Sequence, residues 1–186
     1  NNINLLAPIG QFGTRHQGGK DAASPRYIHT SLAPLARTIF HPDDDNILEY
    51  IVEEGQSIEP VFYIPVVPMV LINGNDGIGT GWSTSIPNYH PLEVVANLRN
   101  VMADKELVDM HPWYRGFTGS TTLTNKGYVL KGVWKRVDDD KIEVTELPIQ
   151  KWIQTYKEYL ETALGGENSW LDSYKEHHTD TRVHFM

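Results

Sequence analysis

The chain has 186 residues, of which 40% are hydrophobic and 22% charged, with a formal net charge of −8 and no cysteine. This length supports a real hydrophobic core in one large domain or two small ones, and the composition is ordinary for a globular protein. The missing cysteines exclude a disulfide framework and a thiolate metal site, and no apolar run approaches the roughly 18 residues of a spanning helix. No signal peptide is expected. A start at Asn1 without Met and a strand-like end at Thr181–Met186 read as a piece cut from a longer polypeptide. Net acidity argues against a nucleic-acid partner, but its distribution does not. Residues 1–40 set Arg15, Lys20, Arg26 and Arg37 against Asp21 alone, whereas residues 41–60 hold Asp43, Asp44, Asp45, Glu49, Glu53, Glu54 and Glu59 with no Lys or Arg.

In chain order, a short apolar start leads into a glycine-rich loop through residue 24. Pro25 precedes Arg26-Tyr27-Ile28-His29-Thr30, whose β-formers predict an extended segment. A helix is predicted from about Ala33, with Leu35, Ile39 and Phe40 on its apolar face and His41-Pro42 as its stop. A short second helix over Asn46–Val52 would take the preceding aspartates as caps. Pro60 to Pro68 changes the texture and is a candidate domain boundary. Met69–Ile72 then reads as a buried strand, and Asn73-Gly74 as a turn. Pro91 opens a helix through about Met102, with Val94, Val95, Leu98, Val101 and Met102 at helical spacing. Residues 121–147 alternate like paired strands with Asp138-Asp139-Asp140 in a turn. A final helix is predicted from about Ile149 to Leu164, with Trp152, Tyr156, Tyr159 and Leu160 on one side and Gly165-Gly166 at its end. The predicted class is α+β.

The segment Gly10–Thr30 holds the densest chemistry: four glycines, Arg15, Lys20, Arg26 and one tyrosine, with Asp21 as its only carboxylate. Glycines permit close backbone approach to an anion and the positive φ that aims amides at it. Gly13 to Lys20 superficially resembles a nucleotide-binding P-loop, but Gly19 occupies the lysine position, Lys20 comes one residue late, and Asp21 follows where a Ser or Thr would hold Mg²⁺. Gly77-Ile-Gly79-Thr-Gly81 fails the dinucleotide spacing. The two aspartate triplets lack calcium-loop spacing and read as solvated turns. His177-His178 is adjacent, not at ligand spacing, and reads as surface. The five tryptophans read as core.

Two residues keep open alternatives. Ile78, between Gly77 and Gly79, is either a loop tip folded back on the core or an apolar wedge able to enter a base step. Tyr27 is either a strand aromatic covering the core or a nucleophile beside Arg26, which would stabilise charge. A free phenol titrates near ~10, so a nucleophilic role also needs a proton acceptor.

Several motifs resemble the breakage–reunion region of eukaryotic-type type II DNA topoisomerases. They are Gln11-Phe-Gly-Thr-Arg15, Gly18-Gly-Lys-Asp-Ala-Ala-Ser-Pro-Arg-Tyr27, Pro68-Met-Val-Leu-Ile-Asn-Gly74 and Gly77-Ile-Gly-Thr-Gly-Trp-Ser-Thr84. Ile86-Pro-Asn-Tyr89, Met110-His-Pro-Trp-Tyr114 and Glu146-Leu-Pro148 add to these, in order along nearly the whole chain. The resemblance implies a later winged-helix part at residues 1–66 and most of a tower domain, truncated at its C-terminal end, over 67–186. It implies that Tyr27 attacks a DNA phosphodiester to leave a 5′-phosphotyrosyl link and a 3′-OH, with Arg26 stabilising the phosphate. Arg15 and Lys20 become expected DNA backbone contacts, and Ile78 the residue that inserts between bases. His29 stands where relatives usually carry an aromatic.

The implied setting is a nuclear homodimer acting on double-stranded DNA with a four-base stagger and no membrane. Mg²⁺ would be bound by upstream TOPRIM carboxylates, and ATP by a domain further upstream. The histidine and basic groups that complete the site also precede Asn1, so the 186 residues alone are expected not to cleave DNA. The alternative within the same fold is a non-catalytic DNA-binding and bending module. A phosphate-binding fold with Tyr27 as a phosphosite would explain neither Ile78 nor the run of motifs.

Overall fold

A computed structural model describes residues 2–164 and 169–186, and the class is α+β. The chain divides into two compact units: one takes the start through Ala7 with Thr30–Arg115, the other Pro8–His29 with Gly116–Met186. Strands β1 (Leu6–Ile9) and β2 (His29–Leu32) form a two-stranded sheet.

In the first unit, Leu35 caps α1 (Ala36–Ile39), which buries Ala36 and Ile39 and ends at Phe40. The helix stops before His41-Pro42 as expected but begins at Ala36 and not at Ala33, so Leu35 stays outside it and exposed. The aspartates do not cap a helix over Asn46–Val52. They lie inside a 3-10 helix, Pro42–Asn46, whose first amide is met by the His41 ring. Tyr50–Glu53 is instead strand β3, paired antiparallel with β4 (Gln56–Pro60). The Arg37 guanidinium donates to Asp45 at 2.6 Å, and the Tyr50 hydroxyl to the Asp45 carbonyl at 3.1 Å.

Met69–Ile72 is also not a strand. Pro68 starts α2 (Met69–Asn73), and Gly74, at φ +64, ends it. Only Ile72 is fully enclosed. Asn2, itself buried, donates to the Ile72 and Trp113 carbonyls and accepts from the Arg115 amide. Asn73 exchanges two bonds with the backbone of Ile3. The hairpin β5 (Asn75–Ile78) and β6 (Ser83–Ile86) follows, and then α3 (Pro91–Met102) at its predicted bounds. Proline at N1, a His90 cap on the Leu92 amide, Glu93 in the first turn and Arg99 in the last suit the α3 dipole. Its Asn97 closes both the carbonyl and the amide of Val108, which folds the following segment back.

In the second unit, β7 (Ser120–Thr124) pairs with β8 (Gly127–Lys131), and β9 (Val133–Asp138) with β10 (Lys141–Glu146). Asp138 accepts from the Asp139 amide, and Arg136 donates to the carbonyls of Asp138 and Asp139, so the acidic triplet does turn chemistry. Helix α4 (Ile153–Leu164) starts four residues later than predicted. Its predicted stop, Gly165-Gly166, lies outside the described residues. Leu147, Ile153, Leu160, Val183 and Phe185 form the core, with Tyr156 and Tyr174 packed against it. Each such side chain contributes about 1.5–3 kcal/mol by leaving water. The C-terminal segment is fixed through mutual Val144–Phe185 backbone bonds of 2.9 and 3.0 Å.

His178 corrects a surface reading. Its side chain is buried edge-on to Phe185, and its Nδ1 accepts from the His184 amide at 3.1 Å. The proton of the neutral ring therefore sits on Nε2, facing Glu176 at 3.4 Å. Burial, ahead of the opposing Glu176 charge, lowers its pKa from the ordinary histidine value. No helix among the described residues is long and apolar enough to cross a membrane.

Candidate nucleic-acid interface and its tyrosine

The tyrosine segment is built by a loop folded on itself and held against the rest of the second unit. Thr14 presents its amide and hydroxyl to the Asp21 carboxylate at 2.9 and 2.6 Å. These two bonds hold the Asp21 carboxyl below the usual carboxylate range. The loop thus spends its only carboxylate on its own Thr14, amide and hydroxyl together. Gly19 donates to the Thr14 carbonyl, and Ala23 to that of Gln11. Gly18, at φ +62, lies flat on the Trp152 indole, where a Cβ would overlap the ring. Glycine is required there twice over, by conformation and by space.

At the end of the loop, Arg26 and Tyr27 are not extended. Pro25 opens a 3-10 turn over Pro25–Tyr27, and the Tyr27 amide donates to the Ser24 carbonyl at 2.9 Å. The chain becomes extended only at Ile28, entering β2. Pro25 fixes φ for a turn and outweighs the β-propensity of the residues after it. The turn projects Tyr27 outward. Its side chain is 65% exposed, which removes the reading of a core-covering aromatic. The Arg26 guanidinium carbon lies 5.0 Å from the Tyr27 ring centroid, a cation–π contact that keeps positive charge at the phenol. His29 is exposed on β2.

The expected phosphate contacts differ in setting. Lys20 is exposed, whereas Arg15 is paired with the buried Glu146 carboxylate. In the first unit, Ile78 is the last residue of β5, opposite Ser83, and the Gly79 amide closes the tip on the Trp82 carbonyl at 2.9 Å. Ile78 is fully exposed, so it does not fold back on a core. Trp82, read as core, is 88% exposed at the same tip, and Trp134 and Trp170 are exposed as well. Sequence reasoning also gave no role to Glu146. Its position before Leu147-Pro148 was visible, but its Arg15 partner 131 residues away was not. Among the described residues, no group of three or more His, Asp or Glu is disposed to hold a metal ion.

The A-subunit family of DNA gyrase/topoisomerase IV matches residues 1–186. The chain is 51% identical over 189 residues to DNA topoisomerase 2 of Bombyx mori, covering all of this chain and 12% of that protein. It is 53% identical over 168 residues to DNA topoisomerase 2 of Pisum sativum, covering 89% of this chain and 12% of that one. A crystal structure titled Plasmodium falciparum topoisomerase II DNA-binding, cleavage and re-ligation domain superposes with a TM-score of 0.90 at 46% identity, covering 100% of this chain and 26% of that one. The chain therefore spans about one eighth of the length of these full relatives.

Proposed function

Because the chain belongs to the A-subunit family of DNA gyrase and topoisomerase IV, with eukaryotic DNA topoisomerase 2 relatives near half identity along it, we propose that it supplies the DNA-attacking tyrosine of a type II topoisomerase. The observation that carries this reading is the outward-facing Tyr27 with the Arg26 guanidinium 5.0 Å from its ring. In the proposed step the Tyr27 oxygen attacks a backbone phosphorus. A Tyr–O–P bond forms, the P–O3′ bond breaks, and the 3′ oxygen leaves with a proton. The phenolic proton passes to a base supplied by another part of the protein. Arg26 offsets the charge that builds on the non-bridging oxygens, the main lever in phosphoryl transfer. One phosphoester replaces another, so the reverse attack by the 3′-OH reseals the strand without external energy.

Lys20 is the proposed backbone contact beside this site. Ile78 is the proposed wedge, since a fully exposed isoleucine at a closed hairpin tip is suited to enter a base step and bend DNA. Residues 1–66 and 67–186 are assigned to winged-helix and tower domains by family likeness, a partition distinct from grouping by packing. Mg²⁺ and ATP are assigned to segments of the full-length protein outside these residues. Homodimerisation and a nuclear location complete the proposal.

The full-length protein, incubated with duplex DNA and Mg²⁺ and quenched with denaturant, is expected to remain covalently attached to 5′ ends and to leave free 3′-OH ends. Attachment at 3′ ends, or none, contradicts the proposal; bending without attachment would favour a structural DNA-binding module. In the same protein, Ile78→Ala is expected to reduce the DNA bend angle read by end-to-end fluorescence transfer. Unchanged bending removes Ile78 from the wedge role. The substitution acts on an exposed side chain, so stability is expected to stay within about 0.5 kcal/mol.

A further inference from the structure

Glu146 ends β10 with its side chain 5% exposed, an uncommon place for a carboxylate without partners to compensate it. It has them on both oxygens. One oxygen accepts from the Arg15 guanidinium and from the Leu147 amide at 3.0 Å. The other accepts from the Thr118 hydroxyl at 3.1 Å and the Thr118 amide at 3.4 Å. Arg15 also reaches the Leu147 carbonyl at 3.4 Å. The carboxylate is thus pinned by its own strand end and by Thr118, and it presents a fixed anion to the loop.

The loop is tied to the same place by its backbone. The carbonyls of Arg15 and His16 accept from the amides of Ile153 and Gln154, the otherwise unpaired first donors of α4. Gly18 lies on Trp152 one residue before that helix. From Arg15 the chain closes on itself through Thr14–Asp21, then through Ala23 to Gln11, and arrives at Gly10, where an added Cβ would crowd the Tyr27 carbonyl and Ile28. A series of backbone and side-chain contacts therefore runs from Glu146 through Arg15 and the loop to the segment that carries Tyr27.

We infer that Glu146 is a positioning residue for Tyr27, acting through Arg15, and that Arg15 anchors the loop instead of contacting phosphate. The inference rests on the reading of Tyr27 as nucleophile. Arginine suits the task because its planar fork can meet the carboxylate and a neighbouring carbonyl together. Glutamine at position 146 keeps one acceptor oxygen, for Thr118 or for Leu147, puts an NH2 donor in place of the other, and gives Arg15 no charge.

The test uses the full-length enzyme and measures the rate of covalent adduct formation at saturating DNA alongside the DNA dissociation constant. Glu146→Gln is expected to slow adduct formation by about 10- to 100-fold while the dissociation constant stays within about threefold. Arg15→Gln is expected to give the same loss, the double variant no more than either single one, and Arg15→Lys a partial recovery. A wild-type rate in either glutamine variant, or losses that multiply in the double variant, overturns the inference. Should Glu146→Gln fail to fold, the partly exposed Arg15 carries the test alone. A full adduct rate in Arg15→Gln with weaker binding and a salt slope shallower by about one would place Arg15 on a phosphate and overturn it. Failure of the underlying reading is separable, because it would appear as adduct formation by Tyr27→Phe.

Discussion

Full-length protein carrying Tyr27→Phe is expected to bind DNA as the wild type does and to form no covalent protein–DNA adduct when quenched with denaturant. The substitution removes one oxygen and nothing else that the fold uses. The side chain is exposed, and among the described residues no hydrogen bond to its hydroxyl is present. The turn is held by main chain, through the Tyr27 amide and the Ser24 carbonyl, and by Pro25. Phenylalanine keeps the ring under the Arg26 guanidinium. Stability should therefore change by less than about 0.5 kcal/mol, while the reaction loses its nucleophile altogether. A filter-binding measurement paired with the quench assay separates the two effects. Adduct at the wild-type level would remove Tyr27 from the chemistry.

Arg26→Gln carries the second largest expected effect. Its guanidinium is next to the phenol and has no carboxylate partner among the described residues, unlike Arg15 with Glu146 or Arg37 with Asp45. A cation left unpaired beside a nucleophile is available to the group being attacked. Loss of a preorganised charge of this kind typically slows reaction 100- to 1,000-fold, about 2.7–4 kcal/mol of transition-state stabilisation. The cation–π contact contributes only about 0.5–1 kcal/mol at an exposed site, so the turn should survive. Single-turnover adduct formation at saturating DNA checks the effect. A slowing of less than about threefold would assign Arg26 to binding alone.

These expectations rest on features unequally legible in the sequence. Helix α3 was readable because its signals are local: proline at N1 and apolar residues at helical spacing through Met102. The paired strands of residues 120–146 were readable from alternation and from the acidic turn between β9 and β10. Met69–Ile72 was not, because a four-residue apolar run has no period, and Pro68 and Gly74 turned out to delimit a helix. At Pro25–Tyr27 the proline set a turn against the β-formers behind it, which is why the tyrosine points to solvent.

The site was legible in type and incomplete in wiring. Arg15, Lys20, Arg26 and Tyr27 stood out as charge and phenol among glycines, and Ile78 as an apolar residue with no local packing. That Arg15 is consumed by Glu146 depends on a pairing 131 residues apart, for which no local pattern exists. The exposure of Trp82 and the burial of His178 were missed for a related reason: burial follows from tertiary packing, and residue type sets only its odds.

The most direct measurement is the identity of the residue that carries DNA. Adduct trapped from the full-length wild-type protein, digested with nuclease and protease, is expected to yield one modified peptide by mass spectrometry. That peptide should contain Arg26-Tyr27, with the remnant nucleotide joined through its 5′ phosphate to the tyrosine oxygen. A nucleotide found on any other tyrosine, or on a serine, would contradict the account at its centre.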